Sequence, residues 1–123
     1  MEPTNIGYSD NEYTRQPKTN TKVHMDALSL LRGEAVNREL DELYSSNCTL
    51  KKGIPITLRY EDQSYIIIQE NLNLGADAPT LQDAERNLSS QIVRLYERLS
   101  SLDEAQLGPY PQELLVYLKE FIQ

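Results

Sequence analysis

The chain has 123 residues, enough for one domain with a modest core, and it carries a formal net charge of −7. This charge is concentrated in residues 54–123, which contain 5 Lys or Arg against 11 Asp or Glu. A phosphate backbone repels such a surface, so the composition argues against direct nucleic-acid binding and favours a basic protein partner.

The cysteine, histidine and hydropathy patterns exclude further classes of protein. Cys48 is the only cysteine and His24 the only histidine, so the sequence supports neither an intramolecular disulfide nor a cysteine-rich zinc site. The first residues lack the basic and apolar segments of a signal peptide, and no apolar run approaches the ~18 residues of a membrane span. We therefore expect a cytoplasmic protein that binds no metal, cofactor or membrane.

Residues 1–23 are polar and almost free of aliphatic side chains, with Tyr8 and Tyr13 as the large apolar groups. Such a segment buries too little apolar surface to offset its ordering entropy, which predicts a disordered arm when it is alone. The arm is either a dispensable tail or a segment that orders on a partner. The remaining residues, 24–123, are predicted to form a single α+β domain.

From Asp26 onward, apolar residues recur mostly every three or four positions, which is typical of a helix. The stripe consists of Leu28, Leu31, Ala35, Leu40 and Leu43. Asp26 is suited to cap the start by accepting from free backbone N–H groups. Gly33 costs about 1 kcal/mol inside a helix, so we expect it to divide the segment into a short turn and a helix near 34–45.

The stretch from residue 54 to residue 68 predicts a β-hairpin. Apolar residues at every second position form one face of its first strand: Ile54, Ile56, Leu58 and Tyr60. Pro55 cannot donate to a ladder, so this strand should start at an edge or with its N–H position facing solvent. After the polar turn at 61–64, Tyr65–Ile68 lacks alternation and is β-branched, which predicts the more buried, central strand. A short third strand is predicted around Leu74.

Two helices are predicted after the strands. Thr80 is suited to accept from the N–H of Asp83 at the start of a long amphipathic helix. Its apolar stripe has helical spacing and comprises Leu81, Ala84, Leu88, Ile92, Leu95 and Leu99. Pro109 and Pro111 then precede a final helix over residues 112–122, which either packs within its own fold or docks on a partner. The predicted fold is thus a small antiparallel sheet of two to three strands, packed by a long helix and flanked by N- and C-terminal helices.

No arrangement of catalytic residues stands out. The acidic pairs Asp41-Glu42 and Glu61-Asp62 are adjacent in sequence and not one helical turn apart, which is typical of a solvated surface or a turn. Gly75 lacks the further glycines and the Lys-Ser/Thr of a phosphate-binding loop. We therefore expect a protein that is not an enzyme.

The hairpin and the long helix resemble the HicB-like antitoxin fold over residues 54–99. That family pairs an apolar strand and a charged turn with a second strand containing an aromatic residue, then a loop with glycine and a helix opening at threonine. The corresponding segments here are Pro55-Ile56-Thr57-Leu58-Arg59-Tyr60-Glu61-Asp62, Ser64-Tyr65-Ile66, Asn71-Leu72-Asn73-Leu74-Gly75, and Thr80-Leu81-Gln82-Asp83-Ala84 with Asn87-Leu88. Ala78-Pro79 stands where the family has Gly-Asp, and the frequent DNA-binding module has no evident counterpart in this sequence.

The resemblance implies a module that neutralises a small basic toxin, in the family a ribonuclease that cleaves mRNA, by protein–protein binding. It also implies that an edge strand permits a homodimer. The candidate partner-binding residues are Glu61, Asp62, Tyr65, Glu70 and Asp77. The alternative is a structural or adaptor subunit of a larger protein assembly, docked through the N-terminal arm and the last helix.

Overall fold

The computed structural model describes residues 26–123, which form a four-stranded antiparallel sheet and two main helices. The strands pair in sequence order, and a short helical segment at 26–31 precedes them. The bounds are β1 Val36–Leu40, β2 Ile54–Glu61, β3 Ser64–Gln69, β4 Leu74–Ala78, α1 Leu81–Ser100 and α2 Pro109–Lys119. The α+β prediction is confirmed, with four strands in place of the two or three expected. The arm predicted at 1–23 lies outside the described residues.

The helix predicted near 34–45 is wrong, because this segment supplies strand β1. Val36 pairs with Leu58 and Leu40 pairs with Ile54, and both Val36 and Leu40 are buried. Residues four apart share a face in a helix and also in a strand, so this spacing fits both structures. Pairing with β2 satisfies the backbone groups of both strands and buries the two aliphatic side chains, and this tertiary contact outweighs the helical pattern.

The hairpin between β2 and β3 is confirmed, and its loop has two residues. Tyr60 pairs with Tyr65 and Glu61 with Ser64, so Asp62 and Gln63 form the turn. Both have positive φ, 51° and 62°, as a type I′ turn requires. Pro55 lies in β2 ahead of Thr57, the first residue of β2 that pairs with β3. The missing N–H of Pro55 therefore removes no hydrogen bond to β3.

Replacing Gln63 with glycine should stabilise the protein by about 0.5–1 kcal/mol, because glycine adopts the left-handed conformation without the strain of a Cβ. Urea denaturation followed by circular dichroism measures the change. Gln63→Ala is the matched control, since it shortens the side chain and keeps the strain. An equal gain from both variants would show that the turn conformation is not the cause.

Helix α1 provides most of the cover for one face of the sheet. Thr80 Oγ1 accepts from the Asp83 N–H at 3.2 Å, which confirms the predicted cap. The predicted stripe is confirmed too, since Ala84, Leu88, Ile92 and Leu99 are buried. These side chains join Ile54, Ile56, Leu58 and Ile67 of the sheet in one core. Each fully buried aliphatic side chain contributes roughly 1.5–3 kcal/mol, which makes this layer the main source of stability.

Helix α2 packs within its own fold. Leu115 and Leu118 are buried in the same core as α1, together with Phe121 and Ile122 beyond the helix end. A β-bridge between Leu50 and Ile122 ties the last residues to the loop before β2. The apolar face of the last helix therefore lies in the core of the protein's own fold. Among the helices of residues 26–123, none is long and apolar enough to cross a membrane.

Candidate functional site

The sheet has two faces, and α1 and α2 pack on only one of them. Successive residues of a strand point to opposite faces, so the pairing register assigns each side chain to a face. The core side chains Ile56, Leu58 and Ile67 point toward the helices. We call the other side the open face; its residues are Asn37, Glu39, Pro55, Thr57, Arg59, Ile66, Ile68, Gly75 and Asp77.

Two isoleucines of the central strand β3 lie on the open face. Ile66 is half-buried, and Ile68 is 43% exposed, although strand β3 is paired on both sides. The prediction that Tyr65–Ile68 forms a central strand is confirmed, but the prediction that it is the more buried strand is wrong. The reason is that neither main helix covers this side. Gly75 sits opposite Ile68 on β4 and offers no side chain to shield it.

Charged side chains flank Ile66, whereas Thr57 and Gly75 flank Ile68. Arg59 and Asp77 flank Ile66 in one row across the sheet, and Arg59 also contacts Glu61 at 3.2 Å. Glu39 lies on the same face but farther away, paired with Pro55 and with its carboxylate beside Gly53. Arg59, Glu61 and Asp77 together carry one net negative charge at this border of the apolar patch.

An open depression of about 150 Å³ lies beside Ile68. Asn37 and Thr57 border it on one side, and Glu70 and Asn71 border it on the other. Pockets for cofactors and drug-sized ligands usually measure about 300–1,000 Å³, so this volume suits a single side chain of a partner better than a small molecule.

The five candidate residues predicted from the sequence do not form one cluster. Glu61 and Asp62 lie at the exposed hairpin tip, and Asp77 pairs with Ile66 near the same end of the sheet. Tyr65 points toward the helices, where its ring contacts that of Tyr60 in a tilted arrangement with centroids 4.8 Å apart. Glu70 follows the opposite end of β3 and borders the depression.

The sequence analysis does not single out Ile66 and Ile68. The available signal was the unbroken apolar run of β3, which places aliphatic side chains on both faces of a strand. Such a run predicts burial on both faces of the strand. In an open two-layer fold, the same run means exposed apolar surface instead.

A second acidic region lies at the end of β1, away from the open face. The pKa of Glu85 is raised, mainly by burial of its carboxyl group. The charge of Arg38 lowers this pKa, and the charges of Asp41 and Glu42 raise it further. Tyr44 lies nearby in a left-handed conformation, with φ of 52°, and the Arg86 guanidinium lies 5.1 Å from the centre of its ring. Nothing in this region indicates a ligand.

The remaining reactive groups of residues 26–123 are not arranged as a chemical site. Cys48 is buried, and burial raises the pKa of its thiol, with the charge of Glu97 adding to the effect. A raised pKa leaves less thiolate at neutral pH, so Cys48 is a weak nucleophile. In the part of the chain that the structure describes, no three His, Cys, Asp or Glu side chains are arranged to hold a metal ion.

Comparison with known proteins assigns no family to this surface. No protein-family model matches the chain, and no curated protein and no solved structure matches it.

Proposed function

We propose that the protein is a non-enzymatic binding module that holds a protein partner on the open face and the adjoining hairpin tip. In its specific form, the proposal is a HicB-like antitoxin that neutralises a small basic toxin of the ribonuclease class in the cytoplasm. The observation that carries it is Ile68, exposed on a sheet face next to the half-buried Ile66, with Arg59, Glu61 and Asp77 at the border.

The energetics favour a partner over solvent at this surface. Burying apolar area is worth about 25 cal/mol per Å², so covering the two isoleucines contributes to affinity. The acidic border adds electrostatic steering of a basic partner, which raises the association rate more than the affinity. Apolar contact thus contributes to the affinity, and the charged border favours a basic partner.

The arrangement of the HicB-like segments supports the specific form of the proposal. Residues 55–62 and 64–66 form the hairpin, residues 71–75 lead into β4, and residues 80–88 begin α1. The order of a hairpin, a further strand and a helix is compatible with the pattern that the resemblance describes. A toxin partner acting on mRNA would place the complex in the cytoplasm.

Affinity capture from the native host with the tagged full-length protein, followed by mass spectrometry, tests the proposal. We expect a small basic protein to be recovered, and we expect Ile68→Glu to reduce its recovery at least tenfold. Val116→Glu is the matched control, because Val116 is 64% exposed on α2. Equal recovery with both variants would contradict the assignment of the open face. Recovery of a large assembly in place of a small basic protein would favour the adaptor function.

Reversing the charge of Glu61 and Asp62 to lysine should weaken partner binding about tenfold and lower the melting temperature by at most about 5 °C, because folding loses an exposed ion pair with Arg59 and the tolerance of Asp62 for positive φ. Binding is measured by calorimetry at two salt concentrations, and melting by circular dichroism. Glu113→Lys with Glu120→Lys reverses the same charge elsewhere. If both double variants bind equally, net charge and not the hairpin tip determines affinity.

A further inference from the structure

Strand β1 is an edge of the sheet, and the pairing register shows which of its backbone groups point outward. Glu61 and Ser64 close the two-residue hairpin, so they exchange backbone hydrogen bonds. Bonded and non-bonded pairs alternate along an antiparallel ladder, which directs the backbone groups of Thr57 and Pro55 toward β3. The Pro55 oxygen accordingly accepts from Gln69 Nε2 at 3.0 Å.

Two residues of β1 therefore have backbone groups that take no part in the ladder. Asn37 lies opposite Thr57 and Glu39 lies opposite Pro55, and both are non-bonded pairs. The N–H and C=O groups of Asn37 and Glu39 thus point away from β2. Within residues 26–123, no other group forms a hydrogen bond with them. Two donors and two acceptors stand at the spacing that an added antiparallel strand requires.

The opposite edge of the sheet is partly covered. On β4, the same alternation points the backbone groups of Gly75 and Asp77 outward. The Gly75 oxygen accepts from Gln91 Nε2 of α1 at 2.7 Å, because α1 packs against β4. Covering an edge in this way hinders pairing with another chain. Of the two edges, β1 is therefore the one suited to receive a further strand.

The charges at the β1 edge indicate which strand it suits. A Cβ on Gly53 would lie 2.6 Å from Glu39 Oε1 and 3.0 Å from Asp41 Oδ1, so these two carboxylates lie close together. No ion pair within residues 26–123 neutralises either of them. Arg38, the basic residue of β1, belongs to the opposite face of the sheet. Opposite charges on neighbouring strands attract and like charges repel, so a basic strand fits this edge.

We infer that the β1 edge binds an extended, basic segment of a partner protein, which joins the sheet as a fifth strand. The backbone of Asn37 and Glu39 forms the ladder, and the carboxylates of Glu39 and Asp41 select lysine or arginine on the added strand. A second copy of the chain fits less well, because it would bring the same two carboxylates to the edge again. The proposed function does not use this edge, and the inference holds whether or not the partner is a toxin.

Amide hydrogen exchange of the full chain, followed by NMR, tests the inference. In the free protein, the amides of Asn37 and Glu39 should exchange at least tenfold faster than that of Arg38, which bonds to β2. The probe is a peptide of about seven alternating lysine and valine residues, long enough to span β1. At about 1 mM it should slow exchange at Asn37 and Glu39 at least threefold and leave Asp77 on β4 unchanged.

Two control peptides separate the backbone from the charge. A glutamate–valine peptide keeps the backbone and reverses the charge, and a lysine–valine peptide N-methylated at every second residue keeps the charge and loses the donors. Neither should slow the exchange. Glu39→Gln with Asp41→Asn should weaken binding of the lysine–valine peptide at least fivefold. Glu113→Gln with Glu120→Gln makes the same change in net charge on and beside α2 and should leave binding unchanged.

Three results would overturn the inference. The first is slow exchange of Asn37 and Glu39 in the free protein, since the edge would then already be paired. If that protection fades on dilution, a second copy is the occupant, and if it does not, another part of the same chain is. The others are no protection by the lysine–valine peptide, or equal protection by the glutamate–valine peptide. None of these results involves Ile68 or a captured partner, so failure here is distinct from failure of the proposed function.

Discussion

Replacing Ile67 with alanine should lower the free energy of unfolding by about 4 kcal/mol, within the range of roughly 2–5 kcal/mol for large-to-small changes in a core. Ile67 is fully buried on β3 and packs in the core that the sheet shares with α1. Removing three methyl or methylene carbons there loses apolar burial and leaves a cavity that the paired strands on both sides cannot close.

The adjacent residue provides the control for this prediction. Ile68→Ala makes the same chemical change one position along, on the open face, and should cost less than about 1 kcal/mol. Urea denaturation of both variants measures the difference. If Ile67→Ala leaves too little folded protein, Ile67→Val should still cost about 0.5–1.5 kcal/mol. Similar losses at both positions would contradict the assignment of a covered and an open face.

The second large effect is expected at Gln69, whose side chain is 1% exposed and joins three parts of the fold. Its Nε2 donates to Pro55 O at 3.0 Å and to Tyr117 Oη at 2.9 Å, and its Oε1 accepts from the Leu72 N–H at 2.9 Å. Tyr117 Oη in turn donates to Asn71 Oδ1 at 3.1 Å. The amide thus links β2, the turn after β3, and α2.

Gln69→Met keeps much of the shape and should destabilise the protein by about 3 kcal/mol, because each buried polar group left without a partner costs about 1–3 kcal/mol. The Leu72 N–H and the Pro55 carbonyl would lose the hydrogen bonds that Gln69 provides. Tyr117→Phe removes only the hydroxyl and should cost about 1 kcal/mol. Chemical denaturation of both variants gives the comparison, and a Gln69→Met variant as stable as wild type would show that the network contributes nothing net.

The elements that local contacts specify could be predicted well. The Thr80 cap and the stripe from Ala84 to Leu99 involve residues three or four positions apart, and the structure contains both. The hairpin brings two adjacent segments together across two turn residues, so its partners are also near in sequence. For β1 the local pattern fitted a helix and a strand equally, and pairing with β2, more than ten residues away, decided between them.

The candidate surface could be predicted only in part. The exposed acids of the hairpin tip, Glu61 and Asp62, follow from turn chemistry alone. Ile66 and Ile68 could not be identified as surface residues, because their exposure depends on where two later helices pack. The hydrogen bonds of Gln69 could not be predicted either, since its partner Tyr117 lies 48 residues away in the sequence.

By itself, the sequence determined the fold class, the hairpin, the long helix and the acidic character of this protein, because periodicity, caps and charge act over a few residues. The tertiary structure decided the formation of strand β1, the buried hydrogen-bond network and the exposure of one face of the sheet. Each of these depends on contacts between segments far apart in the chain. The same aliphatic strand is a core element where helices cover it and an exposed apolar surface where they do not.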